Sequence, residues 1–217
     1  EGVVFEKGYG FADGEQKRKV DAQTVYGVAS MSKSMTTLCL CMLAVEGKVS
    51  FDDPVARYFP RLHIPGVPDE ALTLHHLATH TSGIPPMEPL EWSIAMNTSQ
   101  RDSEWIKEMR RTAPNKMETI DQIVDYISLG KYPQLGQPGE YMSYSNEGYA
   151  LLCYVVDQAA GMPLERFLKE RVFEPLGMKR SVLDLDGQEA IRLSGGNITS
   201  LFEREEGKLY ADDAWSI

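Results

Sequence analysis

The chain has 217 residues, of which 42% are hydrophobic and 25% are charged, a composition typical of a globular protein rather than a disordered chain. This length fits a single domain with a sizeable core, and two small lobes would also fit. Its formal net charge of −10 argues against nucleic acid and anionic membrane surfaces as partners, because both are normally bound by a basic face. No apolar run approaches the roughly 20 residues that cross a bilayer, and no signal-peptide pattern opens the chain. We therefore expect no membrane span.

Three cysteines, Cys39, Cys41 and Cys153, are too few for a disulfide framework. Cys39 and Cys41 lie two positions apart on a predicted helix, so they point to different faces and should not pair. Buried free thiols are the expectation, and they favour a reducing, cytoplasmic location.

The hydrophobic pattern and the turn residues predict a chain that begins in strands, continues through helices and returns to strands. In chain order, the sequence predicts strands over residues 2–11 and 24–28, then helices over 30–46, from 53 onward, over 73–80, 102–111, 119–129, 147–160 and 163–173, and strand-like pieces over 181–185 and 197–202. Gly8 and Gly10 in the first strand favour a bulge or a close backbone approach. Residues 85–117 are expected to form an irregular excursion around their one helix.

The segment Ser30-Met-Ser-Lys33 places a serine and a lysine three residues apart at a predicted helix start. Residues at this spacing share one helix face, so the amine can reach the hydroxyl. The helix macrodipole and burial both disfavour a charged amine there, and a partly neutral lysine can accept the serine proton. The pair is therefore a candidate activated nucleophile.

This spacing is a weak signal by itself. With 15 serines and 11 lysines, chance gives about 0.8 matches, and a second match, Ser128-Leu-Gly-Lys131, is present. Gly130 ends a predicted helix there, so that serine and lysine need not share a face. Ser30 instead lies at a strand-to-helix junction, where a nucleophile can be exposed while its backbone N–H remains free.

The segment Tyr144-Ser-Asn146 is more specific, because ten tyrosines and four asparagines predict only about 0.2 such matches by chance. It follows a Pro-Gly turn and precedes a predicted helix, so its side chains can project from a loop. A tyrosine near an ammonium group has a lowered pKa and can shuttle protons. The alternatives are a half-buried loop aromatic for Tyr144 and a helix cap for Asn146. Each alternative alone is favoured over catalysis, and the two motifs together reverse that preference.

His76 and His80 are four residues apart on a predicted helix, which is a metal-ligand spacing. No glutamate stands at the position of the H-E-x-x-H motif and no third ligand follows. Structural roles are therefore expected for both histidines, with no metal and no cofactor.

At these motifs the chain resembles the β-lactamase-related family, which includes class C β-lactamases, D,D-carboxypeptidases, D-aminopeptidases, family VIII esterases and some acyltransferases. Four blocks carry the resemblance in the family's order: the nucleophile segment at 25–34, the helix-ending signature at 74–83, the second motif at 144–152 and the segment at 173–178. The resemblance implies an α+β fold of the β-lactamase/penicillin-binding-protein type. In that fold a helical lobe, about residues 50–165, packs on an antiparallel sheet.

The resemblance also implies a chemistry. Ser30 would form an acyl-enzyme, Lys33 and Tyr144 would move the proton, Asn146 would orient the substrate, and the backbone N–H of Ser30 would be one oxyanion donor. The implied activity is a serine hydrolase acting on an ester, amide or lactam, with a small-molecule or peptide acyl substrate. The alternatives are an acyltransferase with the same site and a non-catalytic scaffold or binding member.

The chain departs from the family pattern in one respect. The family has a third motif, Lys or His followed by Thr/Ser and Gly, and no such triplet follows Tyr144. His80-Thr-Ser-Gly lies too early and has an extra residue. We therefore expect residues 1–217 to form the front and middle of one catalytic domain. The oligomeric state stays open, as does completion of the sheet by another segment or chain.

Overall fold

The computed structural model describes residues 2–89, 92, 104–112, 117, 119–184, 187–205 and 208–212. Its helices are α1 (Lys33–Val45), α2 (Leu74–Ala78), α3 (Glu104–Thr112), α4 (Ile120–Ser128), α5 (Asn146–Ala160), α6 (Leu164–Leu168) and α7 (Gln188–Ser194), with 3-10 turns at Ala29–Ser32 and Val55–Arg57 and a π-helical turn at Lys169–Phe173. Strands β1 (Leu201–Glu205) and β2 (Lys208–Asp212) pair antiparallel. The chain divides into two units, one formed by Ser30–Ser93 and Ala113–Leu168 and the other by the remaining segments.

Helix α5 is the centre of the first unit, because it packs against α1, α2, α4 and α6. Its Leu151 and Val155 are fully buried, as are Leu40 and Leu43 of α1, while Leu77 of α2 is 1% exposed. Full burial of such a side chain contributes about 1.5–3 kcal/mol. Within the described part of the chain, no helix combines the length and the apolar character that a bilayer crossing requires.

The three cysteines are free thiols in different environments. Cys39 of α1 is completely buried, and burial raises the pKa of its thiol to about 12. Cys153 of α5 is half-buried, with its Sγ 3.7 Å from Thr36 Oγ1. Cys41 is exposed, so the prediction of burial is wrong for this residue.

Local capping explains where several helices begin. The Ser145 hydroxyl accepts the Gly148 N–H at 3.1 Å at the start of α5. Thr119 and Gln122 form a reciprocal capping box at the start of α4, as the predicted helix start at Thr119 requires. These starts agree with the predicted bounds within one residue.

The predicted helix start at Asp53 is wrong, because only the 3-10 turn Val55–Arg57 forms there. The backbone on both sides of Pro54 is held extended against the Leu72–Leu74 segment, with Val55 N–H donating to Leu72 C=O at 2.8 Å and Leu74 N–H donating to Asp53 C=O at 3.1 Å. The Asp53 carboxylate instead accepts hydrogen bonds from its neighbours, among them the Tyr58 hydroxyl at 2.7 Å. This pairing prevents the turn from lengthening into a helix.

The strand predictions fare less well than the helix predictions. Within the described residues the only ladder is β1–β2, and residues 2–10 and 181–184 contain no strand. Residues 24–28 contribute one parallel bridge, Val25 to Ile198, and the predicted strand at 197–202 overlaps β1 only at its end. A strand needs a partner that supplies donors and acceptors along its length. Where these segments meet a partner, they pair with it at a single residue. The predicted sheet beneath the helical lobe therefore stays a prediction, and α7 was not predicted.

The prediction of a close backbone approach is confirmed at Gly8. A Cβ atom there would lie 2.1 Å from the Val20 carbonyl oxygen, so any side chain would force the two backbone segments apart. At Gly10 a Cβ atom would meet no atom within 4 Å, so no close approach occurs there.

Candidate active site

Ser30 lies in a 3-10 turn, and Lys33 is the first residue of α1. The sequence predicted one α-helix through both residues, but the tighter turn serves the same geometry, since residues three apart eclipse in a 3-10 helix. Lys33 Nζ donates to Ser30 Oγ at 3.1 Å, and Ser30 is exposed. Ala29, just before the serine, has φ of 44°, a left-handed conformation that is costly outside glycine. This turn therefore presents Ser30 outward at some backbone cost.

Two aromatic rings lie next to the lysine. Lys33 Nζ is 4.9 Å from the ring centre of Tyr144 and 5.6 Å from that of Tyr149. The negative face of an aromatic ring attracts a cation, so both rings help to hold the lysine side chain beside Ser30.

Tyr144 binds both members of the pair and keeps 38% of its surface exposed. Burial raises the pKa of its hydroxyl, but hydrogen bonds from Lys33 and Ser30 and the lysine charge outweigh burial, so the pKa of Tyr144 lies below its usual value. A hydrogen bond lowers a phenol pKa when it is donated to the oxygen. The Ser30 hydroxyl accepts from Lys33 at 3.1 Å and the Tyr144 ring lies 4.9 Å from the same Nζ, so the three predicted residues come together.

Asn146 is the first residue of α5 and is half-buried. It does not cap the helix, because Ser145 does, so the alternative interpretation of Asn146 as a cap is wrong. Its side-chain amide makes no hydrogen bond to any residue that the structure describes. The amide is thus available to an external group.

The segment that follows α2 holds the Tyr144 loop in place. The Ser143 N–H donates to the His80 carbonyl at 2.7 Å, and the Leu135 N–H donates to the Gly83 carbonyl at 3.0 Å. Gly83 has φ of +77°, and a Cβ atom there would lie 2.3 Å from the Gly136 carbonyl oxygen. Only glycine permits this contact between the two segments.

Two residues at the site were not predicted as site residues. The Tyr149 hydroxyl donates to Ala78 C=O at 2.8 Å and lies 3.1 Å from Thr37 Oγ1, so it links α5 to α1 and α2. The ring of His80 stacks on Tyr144 with centroids 4.3 Å apart and lies 4.8 Å from the ring of Tyr149. The sequence singled out His80 only for its four-residue spacing from His76 and for its place at a helix end before Thr-Ser-Gly, and neither feature indicates a contact with Tyr144.

The two other sequence candidates have structural roles. His76 Nδ1 accepts the Thr73 N–H at 3.2 Å and so caps α2, as expected for a non-ligand histidine. Ser128 Oγ donates to Val124 C=O at 2.8 Å and accepts the His63 N–H at 3.1 Å. Its apparent partner Lys131 binds Glu88 instead, at 2.8 Å. The second serine–lysine match is therefore not a nucleophile pair.

Residues 1–209 match the family model described as Beta-lactamase. A penicillin-binding protein of Bacillus subtilis is 28% identical over 179 residues, which cover 82% of this chain and 35% of the relative. The octameric penicillin-binding protein homologue from Pyrococcus abyssi superimposes with a TM-score of 0.76 at 28% identity, covering 99% of this chain and 45% of that chain. A penicillin-binding protein from Bacillus halodurans has a TM-score of 0.68 at 25% identity, covering 100% and 60% respectively. The chain therefore spans less than two thirds of the length of each of these proteins.

Proposed function

Because the chain belongs to the beta-lactamase family, we propose that it is a serine hydrolase that forms an acyl-enzyme on Ser30. The observation that supports this proposal is the contact between Lys33 Nζ and Ser30 Oγ, 3.1 Å apart, with the Tyr144 ring centre 4.9 Å from the same Nζ. A nucleophile, a proton acceptor and a fixed cation in mutual contact are the groups that acyl transfer needs.

In the acylation step, Ser30 Oγ attacks the carbonyl carbon of an ester, amide or lactam while its proton passes to Tyr144 Oη. The Lys33 ammonium, held over the two tyrosine rings, stabilises the phenolate that accepts the proton. Tyr144 then gives this proton to the leaving oxygen or nitrogen as the bond to the carbonyl carbon breaks. The new serine ester and the free leaving group balance the reaction.

In the deacylation step, water takes the place of the leaving group. Tyr144 accepts a proton from the attacking water, and the proton returns to Ser30 Oγ as the acyl group leaves as a carboxylic acid. Asn146 orients the acyl substrate through its free amide, and the Ser30 N–H donates to the oxyanion.

The substrate class rests on the family and on the exposed serine. A panel of p-nitrophenyl esters, a chromogenic cephalosporin and D-amino-acid amides separates ester, lactam and amide hydrolysis. Product analysis with an added alcohol or amine separates hydrolysis from acyl transfer, since a transferase would yield the new ester or amide instead of the acid.

The proposal is tested by covalent labelling with a fluorophosphonate followed by mass spectrometry. Ser30→Ala is expected to abolish labelling. Ser128→Ala is the matched control and should leave labelling unchanged, because Ser128 is occupied by Val124 and His63. Labelling that persists in Ser30→Ala, or the absence of labelling in the unaltered protein, would contradict the proposal and favour a non-catalytic role.

A further inference from the structure

The geometry points to His80 as a positioning residue that holds Tyr144 in the orientation from which it takes the serine proton, an inference that rests on the proposed function. His80 acts through two independent contacts, one to the backbone beside Tyr144 and one to the Tyr144 ring.

The backbone contact determines which nitrogen of the neutral His80 ring carries the proton. His80 Nδ1 accepts the N–H of Ser145 at 3.1 Å, so the ring proton of the neutral histidine is on Nε2. Ser145 is 1% exposed, so its N–H has no water to replace this acceptor, and leaving a buried donor unsatisfied would destabilise this segment. The peptide next to Tyr144 is thereby tied to the end of α2.

The ring contact fixes the side chain of Tyr144. His80 stacks on Tyr144 at 4.3 Å between ring centroids with an interplanar angle of 29°. Lys33 Nζ also lies against the Tyr144 ring, so the ring is restrained by the imidazole and by the ammonium together. The centroid of the Tyr149 ring lies 4.8 Å from that of the His80 ring. The imidazole is therefore itself held in place by a second aromatic ring. Rotation of Tyr144 away from Ser30 would break the stack.

The surroundings of His80 favour the neutral form of its imidazole. The groups facing His80 are Lys33 from α1, Tyr144 from the loop and Tyr149 from α5. Burial and the Lys33 charge hold the pKa of His80 below its usual value. A neutral imidazole adds no second cation beside the lysine, so Lys33 remains the cation that stabilises the phenolate.

The backbone of His80 has a conformation that few residue types adopt readily. His80 has φ of 56°, a left-handed conformation that histidine and asparagine adopt more readily than most residues. Asparagine therefore offers a substitution that retains the backbone shape and an acceptor near the position of Nδ1 while removing the ring.

The test is a double-mutant cycle on the rate of Ser30 acylation by p-nitrophenyl acetate, with the unaltered protein, His80→Asn, Tyr144→Phe and the double variant. A displaced proton acceptor costs about tenfold or more, so His80→Asn should slow acylation by at least that factor. In the Tyr144→Phe background the same change should cost less than about twofold, because the hydroxyl being positioned is already absent. Equal losses in both backgrounds would overturn the inference. His75→Asn, an exposed histidine on α2, is the control and should retain the unaltered rate.

A second measurement needs no turnover and so separates this inference from the proposed function. Tyrosines labelled with ¹³C at Cζ report the Tyr144 pKa by NMR, with the signal assigned by its loss in Tyr144→Phe. In His80→Asn the pKa of Tyr144 should rise toward the usual tyrosine value, because the released ring leaves its hydrogen bonds to Lys33 and Ser30. An unchanged Tyr144 titration in a folded His80→Asn protein would overturn the inference, even if no form of the protein is acylated.

Discussion

At the scale of single residues, Tyr144 is subject to opposing influences. Burial alone would raise its pKa, while the hydrogen bonds from Lys33 and Ser30 and the lysine charge lower it. The second group prevails because the phenol oxygen faces the donors and the ring remains partly exposed. The residue is therefore more acidic than an ordinary tyrosine while it stays in contact with the nucleophile.

The first prediction concerns that hydroxyl. Tyr144→Phe keeps the ring and its stacking on His80 but removes the proton acceptor, so kcat should fall by about a hundredfold or more. In the unaltered protein kcat should rise with pH through the Tyr144 pKa, because the phenolate is the accepting form, and this rise should vanish in Tyr144→Phe. The measurement is a pH profile of nitrophenyl-ester hydrolysis. A near-normal kcat in Tyr144→Phe would mean that another group is the base.

The sequence predicted the residues that local spacing connects and missed those that only folding connects. Ser30 and Lys33 are three apart, and Tyr144 lies in a recognisable loop, so local patterns find all three. His80 and Ser145 are 65 positions apart, and Thr37 and Tyr149 are 112 apart. No spacing rule reports a contact of that kind.

At the scale of elements, the cap of α5 has two functions. Ser145 satisfies a free N–H at the helix start, and it also lies between the two motif residues Tyr144 and Asn146. The hydroxyl of Ser145 also donates to the Glu147 carboxylate at 3.2 Å. The residue whose side chain caps α5 thus also donates its backbone N–H to His80.

The second prediction separates these functions. Ser145→Ala and Thr119→Ala each remove an N-cap, so each should lower the free energy of unfolding by about 1 kcal/mol, measured by urea denaturation. Ser145→Ala should in addition slow Ser30 acylation, whereas Thr119→Ala, at the start of α4, should not. Equal acylation rates in the two variants would show that the α5 cap has no part in the site.

The same contrast explains which elements were predictable. Helices α4 and α5 begin at side chains that bind their own first turn, and that signal is contained within a few residues. The predicted strands at residues 2–11 and 24–28 depended on partners elsewhere in the chain, and Phe11 and Val25 meet theirs only as isolated bridges. The Asp53 helix failed for the same reason, because its backbone pairs with Leu72 and Leu74.

At the scale of the whole molecule, acid should destabilise the fold in two stages. Folding lowers the pKa of His76 through burial and the neighbouring His75, and the pKa of His80 through burial and Lys33. For Glu88, burial opposes the shift, but hydrogen bonds from Lys131, Tyr126 and Tyr132 lower its pKa from 4.5 to about 2. In all three cases the unfolded chain binds more protons than the folded one.

The third prediction follows from the sign of these shifts. The histidine contribution is fully present above pH about 6.5 and is lost as the pH falls through the folded pKa values. The Glu88 contribution is present above pH 4.5 and is lost toward pH 2. In urea unfolding across this pH range, Glu88→Gln should therefore reduce the loss of unfolding free energy between pH 4.5 and about pH 2. It should leave the loss due to the histidines unchanged. The exposed Glu70→Gln is the control, and an identical acid profile for the two variants would contradict the assignment.

The fourth prediction concerns turnover by residues 1–217. No K-[ST]-G or H-[ST]-G triplet follows Tyr144, and the absence of one oxyanion donor typically costs about 10²–10³ in rate. We expect weak or absent hydrolysis of a nitrophenyl ester by residues 1–217, because the transition states of acylation and deacylation both depend on the oxyanion donors. Rapid sustained hydrolysis would show that a second donor lies within these 217 residues.

The rates at which the three thiols are alkylated would report the separation of the two helices that carry the site. Cys41 is exposed, whereas Cys39 and Cys153 lie on the α1 and α5 sides of their interface, and burial raises the pKa of both thiols. Since alkylating reagents attack thiolates, the folded protein should gain one adduct quickly at neutral pH. The adduct on the fully buried Cys39 should appear only as fast as α1 leaves α5, so mass spectrometry of this adduct over time would measure how often α1 departs from α5.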